Sequence, residues 1–151
     1  QLVMYFMKND MNFEIIGKIH TPYKDVAPFV PDEKLCDGEF VIELFPEYQK
    51  ALYKLDRFNY IYVLFYIDKA KQAKLRVFPP YEKAAEVGLF ASRSPNRFNP
   101  IGLSIVKIKK IKDNKIYTSC IDAFNGTPLI DIKPYFKDMD IKADSNNGWK
   151  D

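Results

Sequence analysis

Histidine occurs once, at His20, and cysteine only twice, at Cys36 and Cys120. No pair among them has CxxC or HxxxH spacing, so the usual four-ligand zinc site has no basis here and no metal is expected. The two cysteines read instead as small apolar filler in a reducing compartment. There is no glycine-rich turn of the kind that opens a βαβ dinucleotide fold. No apolar run approaches the ~20 residues a membrane-crossing helix needs. The longest, Tyr60 to Ile67, has the length of a buried strand. No secretion leader is visible, although the chain opens at Gln1 rather than Met. The expectation is a cytoplasmic protein with no membrane association.

What the chain does have is apolar substance. Hydrophobic residues make up 47% and aromatics 15%, which argues against disorder outside the ends. Its 151 residues suit one domain that can bury a core without disulfide or metal. The net charge of +3 is too small to argue by itself for a nucleic-acid partner. Its distribution says more. Lys69, Lys71, Lys74 and Arg76 form one cluster, and Lys107, Lys109, Lys110, Lys112 and Lys115 another. Each is either a solvated basic surface or a phosphate-binding one, because binding requires the charges on one face and spacing leaves that open.

Residues 1–12 read as an irregular lead-in, 13–140 as one domain and 141–151 as a frayed tail. Phe13 to Ile19 predicts a first strand, closed by the Thr21-Pro22 turn signal. A loop containing Pro28 and Pro31 runs to Gly38, and Phe40 to Leu44 alternates like a half-buried strand. Pro46 stands at a first helical position, and Tyr48, Ala51, Leu52 and Leu55 recur at helical spacing, predicting a short amphipathic helix over 46–56. Tyr60 to Ile67 predicts a central strand with both faces covered. Leu75 to Phe78 predicts another, stopped by Pro79-Pro80. Ile101 to Lys112 and Lys115 to Asp122 form a hairpin about Asp113-Asn114, a pair that tolerates positive φ. Short strands, one helix and abundant proline predict a mainly-β single domain. A closed β-barrel with long loops is favoured over a sandwich because closure removes the edges.

Two blocks stand out. Gly88 to Ser104 reads GLFASRSPNRFNPIGLS, and Asn125 to Tyr135 reads NGTPLIDIKPY. Each is a cluster of turn-forming and small polar residues leading into an apolar strand, which sets backbone donors, and in the first block two arginines, at a strand mouth. These blocks closely resemble the TsaA-like, or TrmO, family. The likeness extends to Ile16 through Tyr23, to Gly38-Glu39 and to the region between Tyr48 and Phe65, so it covers roughly positions 13 to 140.

The resemblance implies a β-barrel homodimer that transfers a methyl group from S-adenosylmethionine to threonylcarbamoyladenosine in tRNA. Such chemistry asks mainly for alignment of donor and acceptor, plus removal of a proton where the acceptor nitrogen keeps one. The resemblance places cofactor contacts at Pro28, Phe29 and Val30, at Asp68 and Lys69, at Arg93 and Leu103, and at Phe124, Asn125, Gly126 and Thr127. In the last stretch glycine permits close backbone approach and the threonine hydroxyl can bond a ligand. Arg97, four residues beyond Arg93, is a candidate contact to tRNA phosphate. Asp131 and Lys133 share a face if the strand is extended; Asp131 is a candidate proton acceptor or one half of an ion pair with Lys133, itself a candidate substrate contact.

This chain departs from the family wording in places. Val30 replaces a glutamine, Phe58-Asn59-Tyr60 a Phe-Ser-His segment, Asp68-Lys69 a His-Gln pair, Phe98 a proline, and Asn125 an aspartate. Asn125 keeps the shape and removes a negative charge, for which Asp68 is a candidate substitute. These changes leave two alternatives to the tRNA methyltransferase: a binding module of the same fold with impaired catalysis, or a methyltransferase of small molecules.

Overall fold

The computed structural model describes residues 11–25, 36–81 and 85–150. Six strands carry the fold: β1 (Gly17–His20), β2 (Phe40–Leu44), β3 (Tyr60–Tyr66), β6 (Ile101–Lys112), β7 (Lys115–Thr118) and β8 (Thr127–Pro134). They pair antiparallel in the order β1-β2-β7-β6-β3-β8, and β8 returns to β1 so that the ring closes. A separate ribbon joins β4 (Arg76–Val77) to β5 (Val87–Gly88). The mainly-β, helix-poor architecture is the expected one. The ring is not a regular barrel, because the register shifts between Leu64 and Phe65 against β8 and between Ile108 and Lys110 against β7. Such bulges bend a strand and re-aim its side chains.

Alternation along β3 turns Ile61, Val63 and Phe65 inward, where each is nearly or fully buried. They meet Ile19, Ile42, Leu44, Val106, Ile116, Ile121 and Leu129 in one apolar core. Burying each such side chain contributes ~1.5–3 kcal/mol. Gly102 lies opposite Phe65 in the β3–β6 register, and a Cβ at that position would stand 2.1 Å from the Phe65 ring. The glycine is thus what lets the ring lie flat on β6.

The outward side of β3 corrects the sequence reading. Tyr60 and Tyr66 are exposed, and Tyr62 and Leu64 half-buried, so within one chain the strand is covered on one face only. The first strand also begins later than predicted, at Gly17, after Ile16 has already bonded Leu129. In place of one helix over 46–56 there are two 3₁₀ segments, Pro46–Leu52 and Leu55–Arg57. Lys54 between them takes a left-handed φ of 67°, which interrupts the helical run. Tyr48, Leu52 and Leu55 nevertheless pack on the core, while Ala51 of the same periodic set is exposed.

The hairpin turn forms as predicted, with Asp113 at φ 54°, but its second strand ends at Thr118 and not at Asp122. Asn114 anchors it to β2, donating its side-chain amide to the Leu44 carbonyl at 2.6 Å. The cysteines are not separate fillers: Cys36 and Cys120 form a disulfide with Cα atoms 5.9 Å apart. Their separation of 84 residues carries no pairing signal in the sequence. The tail read as frayed is exposed but tied down, since Trp149 Nε1 donates to the Ala91 carbonyl at 2.7 Å and its ring meets that of Tyr81. Among the described residues no helix is long and apolar enough to cross a membrane.

Candidate functional site

The segment after β7 shapes one end of the ring. Ser119 and Lys107 exchange two bonds, Ser119 N–H to the Lys107 carbonyl and Lys107 N–H to Ser119 Oγ, both at 2.9 Å. Farther along, Ser104 Oγ donates to Asp122 Oδ1 at 2.8 Å. The chain then turns at Phe124–Thr127 into β8. Three bonds clamp this turn to the end of β1: Asn125 N–H to the Tyr23 carbonyl, Gly126 N–H to the Ile19 carbonyl, and Thr21 N–H to Asn125 Oδ1, at 2.7, 2.8 and 3.1 Å. Thr21 Oγ1 completes the clamp, donating to the Ala123 carbonyl at 2.7 Å.

Within the turn the predicted contacts divide. Gly126 has a φ of 84°, and a Cβ there would meet nothing within 4 Å, so its backbone faces open space. Thr127 is buried, and its hydroxyl donates to the Phe124 carbonyl at 2.7 Å; it shapes the turn instead of presenting a free donor. Asn125 likewise commits its side-chain oxygen to Thr21, which explains how an amide serves at this position. The ring of Phe124 lies 5.3 Å beneath the Lys69 ammonium. That contact brings the exit of β3, with Asp68 and Lys69 both exposed, against the turn.

The arginine loop approaches the same exit. Ile67 N–H bonds the Pro100 carbonyl at 2.8 Å, and Lys71 N–H bonds Asn96 Oδ1 at 2.7 Å. Arg93 is exposed and enters no ion pair among the described residues. Arg97 turns inward. Its Nη1 donates to the carbonyls of Ser92, Leu89 and Ser94 at 2.9, 3.4 and 3.4 Å, and so braces the loop that carries Arg93.

The two motif blocks do not pair with each other; they flank β3. Leu103 and Asp131 are both cross-strand partners of Leu64, so the three form a row on the outer face, with the end members ~10 Å apart across two strand spacings. The next row is Ile105, Tyr62 and Lys133. Asp131 and Lys133 pair as their alternation allows, Oδ2 to Nζ at 2.9 Å, while Asp131 Oδ1 accepts from Ile132 N–H. Burial, then the Asp140 carboxylate nearby, hold the Tyr62 phenol above its ordinary range. Pro28, Phe29 and Val30 lie outside the described residues.

Thr21, Ser104 and Asp122 were missed as contributors to this end of the ring. Thr21 sat within the recognised Ile16–Tyr23 stretch, so a signal was present. Ser104 and Asp122 are 18 residues apart and meet only because the post-β7 segment runs back along β6.

A closed antiparallel ring with an exposed glycine turn beside the exit of β3 defines the chain as a mainly-β domain. The comparisons make the class specific. Residues 18–141 match the model of the tRNA-methyltransferase O N-terminal domain. The chain is 39% identical over 125 residues to an S-adenosyl-L-methionine-binding protein of Archaeoglobus fulgidus, covering 83% of this chain and 89% of that one. It is 38% identical over 99 residues to the human tRNA (adenine(37)-N6)-methyltransferase, covering 64% of this chain and 22% of that protein. The crystal structure of TrmO from Pseudomonas aeruginosa superposes with a TM-score of 0.74 at 28% identity, over 91% of this chain and 62% of that one. The chain therefore spans about three fifths of that solved structure's length. It belongs to the family of the tRNA-methyltransferase O N-terminal domain.

Proposed function

We propose that this chain is an S-adenosylmethionine-dependent methyltransferase that acts on the exocyclic nitrogen of threonylcarbamoyladenosine in tRNA. The observation that carries the reading is the Phe124–Thr127 turn, clamped to β1 and open around Gly126 at the exit of β3. This arrangement fits the cofactor's parts: an aromatic ring for the adenine, open space over Gly126, the Asp68 carboxylate for cationic groups, and the exposed Arg93 for the carboxylate. When bound, the cofactor supplies an electrophilic methyl on a cationic sulfur. The chain's residues hold and orient it and keep the acceptor in line.

Leu103 lies on the outer face in the same row as Asp131, which we assign as proton acceptor for the nitrogen being methylated. Lys133 is assigned to the tRNA side, and Pro28, Phe29 and Val30 to the cofactor; Arg97, spent on the carbonyls of its own loop, holds Arg93 in place. Residues 13–140 are taken as the functional domain, with the cytoplasm as its place of action. The reading also includes a homodimer. Sedimentation showing a monomer at micromolar concentration would remove the dimer from the proposal.

The decisive experiment incubates the purified chain with labelled cofactor and bulk tRNA from a strain lacking the modification. Label recovered on the threonylcarbamoyladenosine nucleoside is the expected result; cofactor binding without transfer refutes the activity. A cofactor-binding module is the second reading, favoured by the name of the Archaeoglobus relative, a binding protein. It predicts a calorimetric binding isotherm with no transfer to any tRNA.

A further inference from the structure

The tertiary structure distinguishes among the five lysines of the β6–β7 hairpin. Lys110 lies 4.3 Å over the Tyr117 ring. Lys112 and Lys115 stand opposite each other beside the turn, and Lys115 has Glu43 of β2 as its other cross-strand neighbour. Lys107 and Lys109 line a cleft of about 500 Å³ together with Ser119, Ile108, Phe40 and the Cys36–Cys120 disulfide. Lys109 is the extra residue of the β6 bulge, because Ile108 pairs with Thr118 and Lys110 with Tyr117. A bulge is a means of re-aiming a side chain that a regular ladder would direct elsewhere.

Among the described residues no carboxylate lines the cleft, although Asp37 and Glu39 flank its lining residues Cys36 and Phe40 in the chain, and neither Lys107 nor Lys109 joins an ion pair. Over 107–119 the sequence holds five lysines against one aspartate, Asp113, a local charge of 5 − 1 = +4 that exceeds the +3 of the whole chain. With both cleft lysines outside the described ion pairs, the hairpin carries a local excess of positive charge beside the cleft. The cleft walls are cross-linked on two sides. Ser119 is fixed by both of its bonds to Lys107, and Cys36 and Cys120 close one wall covalently. Lys107 lies four residues along β6 from Leu103, on the same strand face, or ~14 Å at strand rise. A nucleic-acid strand with its reacting base near Leu103 spans that distance within a few nucleotides.

We infer that the cleft between Lys107 and Lys109 docks the phosphodiester backbone of the RNA substrate a few nucleotides from the methylated base. This rests on the reading of an RNA substrate above, and it adds a second anchoring point remote from the cofactor turn. Lysine ammonium groups meet the phosphate oxygens, and the Ser119 hydroxyl, whose oxygen already accepts from Lys107 N–H, is left to donate its proton.

The test measures binding of a ten-nucleotide oligouridylate by fluorescence anisotropy across a salt series. It compares the wild-type chain, the pair Lys107→Ser/Lys109→Ser, and the pair Lys112→Ser/Lys115→Ser, which removes the same charge from the hairpin tip. Two lost single-strand phosphate contacts reduce the slope of log K against log salt by about 1.4. The cleft pair is expected to show that reduction and at least tenfold weaker binding at low salt, and the tip pair well under half of either effect. Cofactor affinity by calorimetry should be unchanged in both, which also certifies the fold. Equal effects from the two pairs, no effect from the cleft pair, or no oligonucleotide binding by the wild type would overturn the inference. Oligonucleotide binding that depends on the cleft pair, without methylation of any tRNA, leaves the cleft standing and refutes the substrate reading instead.

Discussion

The Lys69 ammonium lies 5.3 Å from the centroid of the Phe124 ring, which joins the exit of β3 to the turn before β8. The two residues are 55 positions apart in sequence (124 − 69). Their contact gathers a charged strand end and an aromatic ring at one mouth. In the proposed site this ring stacks on the adenine. Phe124→Ala is expected to weaken cofactor binding about ten- to a hundredfold, the equivalent of ~1–3 kcal/mol of stacking. Calorimetric titration measures it, and an unchanged affinity would dissociate Phe124 from the site.

Asp68 is the exposed carboxylate beside that contact. Exposed charge pairs are worth little, ~0.2–1 kcal/mol. Asp68→Ala is therefore expected to weaken cofactor binding about two- to fivefold, more at low salt than at high. Identical affinities at both salt concentrations would count against its compensating for the charge that Asn125 lacks.

Asp131 is held by Lys133 and the Ile132 amide on the outer face. Replacing it with asparagine keeps the shape and removes the proton acceptor. General-base contributions are typically about a hundredfold or more, so Asp131→Asn should lower the methylation rate by that factor and leave the cofactor dissociation constant unaltered. A rate within twofold of wild type assigns Asp131 to structure alone.

Gly102 is packed under Phe65, and its replacement would put a Cβ 2.1 Å from the ring. Gly102→Ala is expected to destabilise the domain by ~1–3 kcal/mol, as overpacking of a core does. The midpoint of urea unfolding reports this. Combining it with Phe65→Leu should recover part of the loss, since the ring is the obstacle.

The Cys36–Cys120 bond closes a loop with a separation of 84 residues. Loop-closure entropy assigns a bridge of that span ~4 kcal/mol. Reductant, or Cys120→Ser, is expected to lower the unfolding free energy by an amount of that order, and reductant should have no further effect on the variant. A wild-type unfolding curve indifferent to reductant would show the cysteines to be unpaired in solution.

Much of the fold was legible because short-range rules govern it. The apolar run of Phe40–Leu44, the Asp113-Asn114 turn and the run at Tyr60–Tyr66 each encode a strand or hairpin locally, although Phe40–Leu44 is buried at Val41 too and not half-buried as its pattern suggested. The two motif blocks were legible as turns leading into strands, and those strands flank β3. Where local reading failed, distance in sequence was the cause. Whether Tyr60 and Tyr66 face core or solvent depends on which strands flank β3. The break at Lys54 depends on how the 3₁₀ segments seat Tyr48, Leu52 and Leu55 on the core. The disulfide and the Ser104–Asp122 bond require the path of the chain after β7.

The sequence alone determined the family resemblance, the strand-rich class and the identity of the candidate ligand contacts, because these reside in contiguous motifs and in side-chain periodicity. Tertiary structure decided which of those contacts are free to act. It turned Arg97 into a brace for its own loop, committed the Thr127 hydroxyl to the Phe124 carbonyl, left Gly126 open, and separated Lys107 and Lys109 from the other lysines of their hairpin. The physical reason is that hydrogen-bond partners and open space are set by segments far apart in the chain, and they exist only once the ring has closed.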